Sequence, residues 1–250
     1  MIAILLAAGL GRRLGEMGRD VPKCLIQVNG GTLLQRHLRA FDACGVDRVR
    51  VVTGYHADRV NTAIDQVQDF SGQVDGFFND RYEHGNVLSL LTGLDGLDDD
   101  EPIIVMDADV LYPHLLLRRL IDSEHATCLL VDTSSEFSGE EMMIAIGGGR
   151  VKRVTRQCPP GDWDIMGETV GFLKVEGAKV SALRAAIEKI VAEGRIDAEY
   201  EEAYDEYFAP RHKIGHEHVD DLPWTEIDFP DDVERAINEV LPHVEALDKK

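Results

Sequence analysis

Met1-Ile-Ala-Ile-Leu-Leu-Ala-Ala-Gly9-Leu-Gly11-Arg12-Arg13-Leu14-Gly15 decides the fold. Seven apolar residues without a polar break, followed by glycines, read as a fully buried strand over 2–8. The Gly- and Arg-rich loop over 9–23 follows it. Glycines in such a loop let backbone N–H groups approach phosphate oxygens, and Arg12 and Arg13 add charge. A P-loop would need GxxxxGK[ST], which is absent. A dinucleotide-binding turn would need GxGxxG with an acidic residue about 20 positions on, ending the second strand. Here the spacing is GxGxxxG and the second strand ends Val52-Thr53-Gly54, so neither pattern fits.

Working outward, Thr32 caps a helix over 32–44, on which Leu33, Leu34, His37, Leu38 and Phe41 share one face. Strands over 46–53, 73–79 and 102–106 alternate with helices over 57–67 and 86–97, a pattern that predicts a mostly parallel sheet with crossover helices. Between about 127 and 175, stretches at 127–132, 142–146, 150–156 and 168–175 are broken by glycines and prolines. They predict antiparallel strands that extend the sheet or form a lid. Helices are expected over 181–193, 198–207 and 231–247. The fold class is thus α/β, Rossmann-like, with helices on both faces and a small inserted antiparallel lobe. One domain is expected over 1–250, its core about 1–125 and 215–250 and a lobe about 126–214.

Twenty-six Lys and Arg stand against 46 Asp and Glu, a net charge of −20. That balance argues against a nucleic-acid partner and against an anionic membrane surface. No apolar run approaches the roughly 18 residues that span a bilayer, and the apolar start lacks the basic flank of a signal peptide. Cys24, Cys44, Cys128 and Cys158 are scattered without a CxxC pair, as expected of reduced thiols in the cytoplasm.

The segment carrying Leu6, Ala8, Gly9, Gly11, Arg13 and Leu14, then Pro22-Lys23-Cys24-Leu25, resembles the N-terminal signature of the sugar-phosphate nucleotidyltransferase superfamily. The resemblance implies that the backbone of Leu6, Ala7, Ala8, Gly9, Gly11 and Arg12 wraps a nucleoside triphosphate. It also implies that Arg13 and Lys23 contact the phosphates. Gly15-Glu-Met replaces the Pro-Leu-Thr of the sugar-specific branch.

Two acidic segments follow. Asp107-Ala-Asp109 ends a buried strand, where ligands of open parallel sheets bind. The resemblance aligns Asp109 with the family's metal-binding aspartate and leaves Asp107 as its neighbour on the nucleotide side. Trp224-Thr-Glu226-Ile-Asp228 resembles a C-terminal segment of small-alcohol-phosphate cytidylyltransferases, where the aspartate completes a Mg²⁺ site. Phe229 stands where threonine is usual. Asn79 to Leu90 resembles a stretch of phosphocholine, aminoethylphosphonate and inositol-phosphate cytidylyltransferases, which places Gly85, Asn86 and Ser89 beside the base. Asn86 read alone serves equally as a helix N-cap. Glu168, Tyr200, Glu201, Trp224 and Glu226 fall in acceptor-side segments, and Trp163 lies between Asp162 and Asp164. Aromatics with carboxylates suit a cationic alkylammonium group, although Tyr200 and Tyr204, four apart on an acidic helix, are equally placed simply to pack.

The resemblance therefore implies a Mg²⁺-dependent cytidylyltransferase. It would join CMP from CTP, or another NTP, to a small phosphorylated or phosphonate acceptor, and a homodimer is left open. A sugar-1-phosphate nucleotidyltransferase, a DxD-type glycosyltransferase and a non-catalytic nucleotide-binding homologue are the alternatives. His212, His216 and His218 have a spacing seen in zinc sites but no cysteine or helix to support one, and are read as a surface strand and loop.

Overall fold

The computed structural model describes residues 1–135 and 139–249. Strand β1 (Ile2–Ala7) leads through a 3₁₀ turn at Arg12–Leu14, a one-turn helix α1 (Glu16–Asp20) and a second 3₁₀ turn at Lys23–Leu25. Then come α2 (Leu33–Ala43), β2 (Arg48–Thr53), α3 (Ala57–Asp65), β3 (Gln73–Phe78), α4 (Asn86–Leu94), β4 (Ile103–Asp107), β5 (Val110–Leu111) and α5 (His114–Asp122). The second half runs β6 (Cys128–Asp132), β7 (Met143–Gly147), β8 (Arg150–Thr155), β9 (Ile165–Val175), α6 (Val180–Ala192) and α7 (Tyr200–Ala203). It ends with β10 (Gly215–His218), β11 (Thr225–Glu226), α8 (Pro230–Arg235) and α9 (Leu241–Asp248).

The main sheet has the order β10-β6-β9-β4-β1-β2-β3. β1 pairs in parallel with both β2 and β4, and β3 extends that parallel block. β9 enters antiparallel between β4 and β6, and β7 and β8 hang from it. Alternation along β1 explains its uninterrupted apolar run. Ile2, Ile4 and Leu6 face a core shared with α4 and α6, while Ala3, Leu5 and Ala7 face another shared with α2 and α5. A strand covered by helices on both sides needs apolar residues at every position. A third, smaller core gathers Leu14, Ile26, Val28, Leu111, Ile227 and Val233, and fixes the Gly-rich loop against the C-terminal helices.

Thr32 caps α2 as expected and forms a reciprocal capping box with Gln35. Several bounds differ from those the sequence suggests. α4 stops at Leu94 because the chain reverses at Gly96, which has φ +62°. β2 begins at Arg48 because Val46 is held in the turn after α2 by its N–H bond to Phe41 O. The last helix widens into a π turn over Ala236–Val240, with Leu241 N–H reaching Ala236 O. Pro242 has no N–H to continue the regular ladder, which accounts for the widening.

Strands within 126–214 extend the main sheet, one of the two arrangements expected of them. Strands β6 and β9 are hydrogen-bonded into it, and β7 and β8 are the projecting part; residues 136–138 lie outside the described residues. β10 is the strand that sequence reasoning left as surface strand and loop, and it pairs in parallel with β6.

Candidate active site

β1 and β4 end side by side at Ala7 and Asp107, so the loops that follow them open onto one cleft of about 790 Å³. Gly11 turns the first loop in the left-handed region, at φ 59° and ψ 30°. A Cβ at Gly18 would run into Gly11 O, so a bare residue there lets α1 lie directly against the turn. Leu14 is almost fully buried and pins the loop from below.

Asp109 sits in the tight turn between β4 and β5. β5 pairs antiparallel with β11, Val110 opposite Glu226, and Ile227 N–H donates to Asp109 O at 3.0 Å. This two-residue ladder brings Asp228 beside Asp109 across more than a hundred residues of sequence. Lys23 Nζ donates to Asp109 Oδ2 at 2.6 Å and also to Asp228 Oδ1. Arg13 pairs with Asp228 Oδ2 at 2.7 Å, its guanidinium 5.4 Å from the centre of the Phe229 ring. Burial by itself would lower the Lys23 pKa, but the charges of Asp109 and Asp228 override it and raise the ammonium above its ordinary value.

Carboxylate oxygens of Asp109, Glu226 and Asp228 all lie within 4.8 Å of one another. Desolvation and the charges of Asp109, Asp228 and Asp107 push the Glu226 carboxyl up to about 9. The Glu226 side chain still reaches solvent. Three carboxylates without nitrogen or sulfur donors suit a hard, oxygen-preferring divalent cation. Their mutual repulsion is what such a cation would relieve.

Asp107 accepts a hydrogen bond from Tyr200 Oη at 2.7 Å. Burial, then Glu201 and Asp109, hold its pKa well above the usual carboxylate range. A Cβ at Gly171, where φ is +79°, would collide with Asp107 Oδ2, so the glycine leaves room for that carboxylate. Farther along the cleft, Trp224 Nε1 donates to Asp132 Oδ2 at 2.8 Å, and Ser134 bonds the other oxygen of Asp132. Glu168, raised by burial, and Glu201, pushed up to about 8 by burial and then Glu199, face the same space.

Most residues singled out in the sequence line this cleft: Leu6, Ala7, Ala8, Gly9, Gly11, Arg12, Arg13, Lys23, Asn86, Ser89, Asp107, Asp109, Glu168, Glu201, Trp224, Glu226 and Asp228. Three do not. Trp163 folds over Gly161 and donates to Pro159 O at 3.1 Å. Gly85 is itself the N-cap of α4, and a Cβ there would strike Ala198 O, so its role is close backbone passage. Tyr200 stands behind the cleft wall, beside a small side cavity shared with Glu201 and Tyr204. Asn86, which the sequence left between N-cap and base reader, is not the cap. Its Oδ1 accepts from Tyr200 N–H at 2.7 Å, tying α4 to α7. Ser89 accepts from the buried Asn79 side chain at 3.1 Å. Asp132 and Arg156 were missed. Asp132 carried a usable signal, the carboxyl end of an expected strand, whereas Arg156 becomes part of the cleft only through its pairing with Glu199.

Residues 3–201 match the MobA-like NTP transferase domain. The chain belongs to that family. Among curated relatives, it is 26% identical over 141 residues to the CTP:phosphoglutamine cytidylyltransferase of Campylobacter jejuni, covering 54% of this chain and 53% of the relative. It is 28% identical over 242 residues to the bifunctional IPC transferase and DIPP synthase of Rubrobacter xylanophilus, covering 96% of this chain and 52% of the relative. The chain thus spans about half the length of these relatives. The inositol-1-phosphate CTP transferase of T. maritima shares the fold, with a TM-score of 0.78 at 20% identity over 100% of this chain and 96% of that one. The family match ends at residue 201, before Trp224, Glu226 and Asp228. The β5–β11 ladder and the Lys23 and Arg13 contacts bring these residues to the same cleft.

Proposed function

We propose that this NTP transferase domain transfers CMP from CTP to a small phosphorylated or phosphonate acceptor and releases pyrophosphate. The observation that carries the reading is the meeting of Lys23, Arg13, Asp109 and Asp228 under the mouth of the Gly-rich loop. CTP as donor is supported by the cytidylyltransferase relatives. Glycines at 9 and 11 leave backbone amides open to the triphosphate, and Lys23 and Arg13 neutralise phosphate charge. A Mg²⁺ held by Asp109 and Asp228, with Glu226 beside them, would add charge neutralisation at the phosphates. An acceptor oxygen forms a bond to the α-phosphorus while the bond from that phosphorus to the bridging oxygen of pyrophosphate breaks. The acceptor phosphate is already ionised near neutral pH, since its second pKa is about 6. The protein then needs no general base.

Acceptor selection is assigned to the acidic end of the cleft. Asp132 and Glu168 with the Trp224 ring favour an acceptor whose far end carries an ammonium group, which would draw the nearby Glu201 carboxyl back toward ionisation. Pyrophosphate release measured for each NTP against phosphocholine, 2-aminoethylphosphonate, inositol 1-phosphate and a sugar 1-phosphate tests both halves of the reading. Release with CTP and an aminoalkyl acceptor is expected. Release with UTP and a sugar 1-phosphate would replace the proposal with the sugar-specific one, and hydrolysis of a UDP-sugar would point to glycosyl transfer.

A further inference from the structure

Lys23 holds two carboxylates that are also the natural ligands of a divalent cation. Its Nζ bridges Asp109 Oδ2, at 2.6 Å, and Asp228 Oδ1, while Glu226 stands within 4.8 Å of both. An ammonium at hydrogen-bonding distance from two oxygens fills the space in which a small cation would sit between them. The two cannot be there together. The side chain is only 16% exposed, so an ammonium driven off the aspartates needs another anionic partner close by. The stem shows where one would be, because it runs along the Gly-rich turn: a Cβ built on Gly11 would lie 3.5 Å from Lys23 Cγ. A short swing of Nζ along that turn brings it to the loop that faces the triphosphate.

We infer that Lys23 is an internal counter-ion that blocks the metal position until a triphosphate arrives to receive its ammonium, so that metal and nucleotide enter as a coupled pair. The coupling is reciprocal, because whatever draws Nζ off the aspartates strengthens metal binding, and metal binding frees Nζ for phosphate. The inference uses the nucleotidyl-transfer reading only in naming the triphosphate as the second partner. Its test needs neither nucleotide nor acceptor, so the two readings stand or fall separately.

Mn²⁺ binding to the nucleotide-free protein, followed by electron paramagnetic resonance of the unbound ion, is the direct probe. Lys23→Met and Lys23→Gln remove the competing charge and are expected to bind Mn²⁺ about 10-fold more tightly than the unaltered protein, within the usual range of couplings between sites. Asp109→Asn introduced into Lys23→Met should abolish the gain. Equal or weaker Mn²⁺ binding by the Lys23 variants would overturn the inference. A measurement on the unaltered chain guards against variants that fail to fold: acetylation of Lys23, read by mass spectrometry, should speed up as Mn²⁺ is raised through the millimolar range. A rate independent of Mn²⁺ that saturates the site would overturn it equally.

Discussion

In the proposed reaction Lys23 and Asp109 act on charge that develops in the transition state, so their loss should appear in turnover more than in folding. Lys23→Ala and Asp109→Ala are each expected to lower kcat by about 100-fold, near 3 kcal/mol of transition-state stabilisation, in a pyrophosphate-release assay. Trp224→Phe keeps the ring and removes the Nε1 bond to Asp132. It should raise the acceptor KM several-fold with little change in the KM for CTP. Glu201 is a different case, because it is buried among Tyr200, Tyr204, Asp107 and Glu199, with Arg156 as the nearby cation. Its carboxyl is pushed up to about 8 from an ordinary 4.5, chiefly by burial and then by Glu199. An acid raised in the fold favours the protonated form there. Its contribution is therefore whole below about pH 4.5 and is lost as pH rises toward 8. Glu201→Gln should remove that slope and be more stable than the unaltered protein at pH 9 by on the order of 2 kcal/mol. Urea unfolding at pH 5 and pH 9 measures the difference. Lys23 and Asp109 were legible in the sequence because each sits in a motif whose spacing implies a role. That Trp163 and Tyr200 lie off the main cleft was not legible, because side-chain direction depends on strand register and helix phase, which residue type does not carry.

At the scale of elements, the site depends on short pieces with weak sequence signals. β5 and β11 have two residues each, too few for periodicity to show, yet their ladder sets Asp228 beside Asp109. The motif around Trp224 indicated the partner, and only the pairing explains how the partner arrives. The long strands and helices of the first half were readable because two buried faces demand apolar runs in β1 and β4, and because Thr32 marks the start of α2. The π turn before Pro242 shows a signal present but unused. Glycine positions make the element-level account testable. Gly18→Ala would press a methyl group into Gly11 O and push α1 off the phosphate loop. It should weaken CTP binding in a titration by about 10-fold, roughly 1.4 kcal/mol. Gly85→Ala would press into Ala198 O and separate α4 from α7. A loss of about 2–3 kcal/mol in unfolding free energy is expected, measured by denaturant titration.

Over the whole molecule, a chain of net charge −20 gathers cations at one end of its cleft. Arg12, Arg13 and Lys23 all follow β1 within one loop, while carboxylates gather at the other end of the cleft. In the proposed reaction this polarity suits triphosphate at one end and the cationic end of the acceptor at the other, with Asp109 and Asp228 between. The sheet joins the two ends through β9, which pairs with β4 and with β6 and carries Glu168, Thr169 and Gly171 into the cleft. Composition argued only against a polyanionic partner, and the division of the cleft emerged only once β9 was seen inserted antiparallel in the sheet. A crystal structure with CTP and Mn²⁺, read by anomalous scattering, tests the central claim most directly. We expect a manganese peak between the carboxylates of Asp109 and Asp228, with the α-phosphate within reach of Lys23. A nucleotide-bound manganese ligated by neither aspartate would contradict the account.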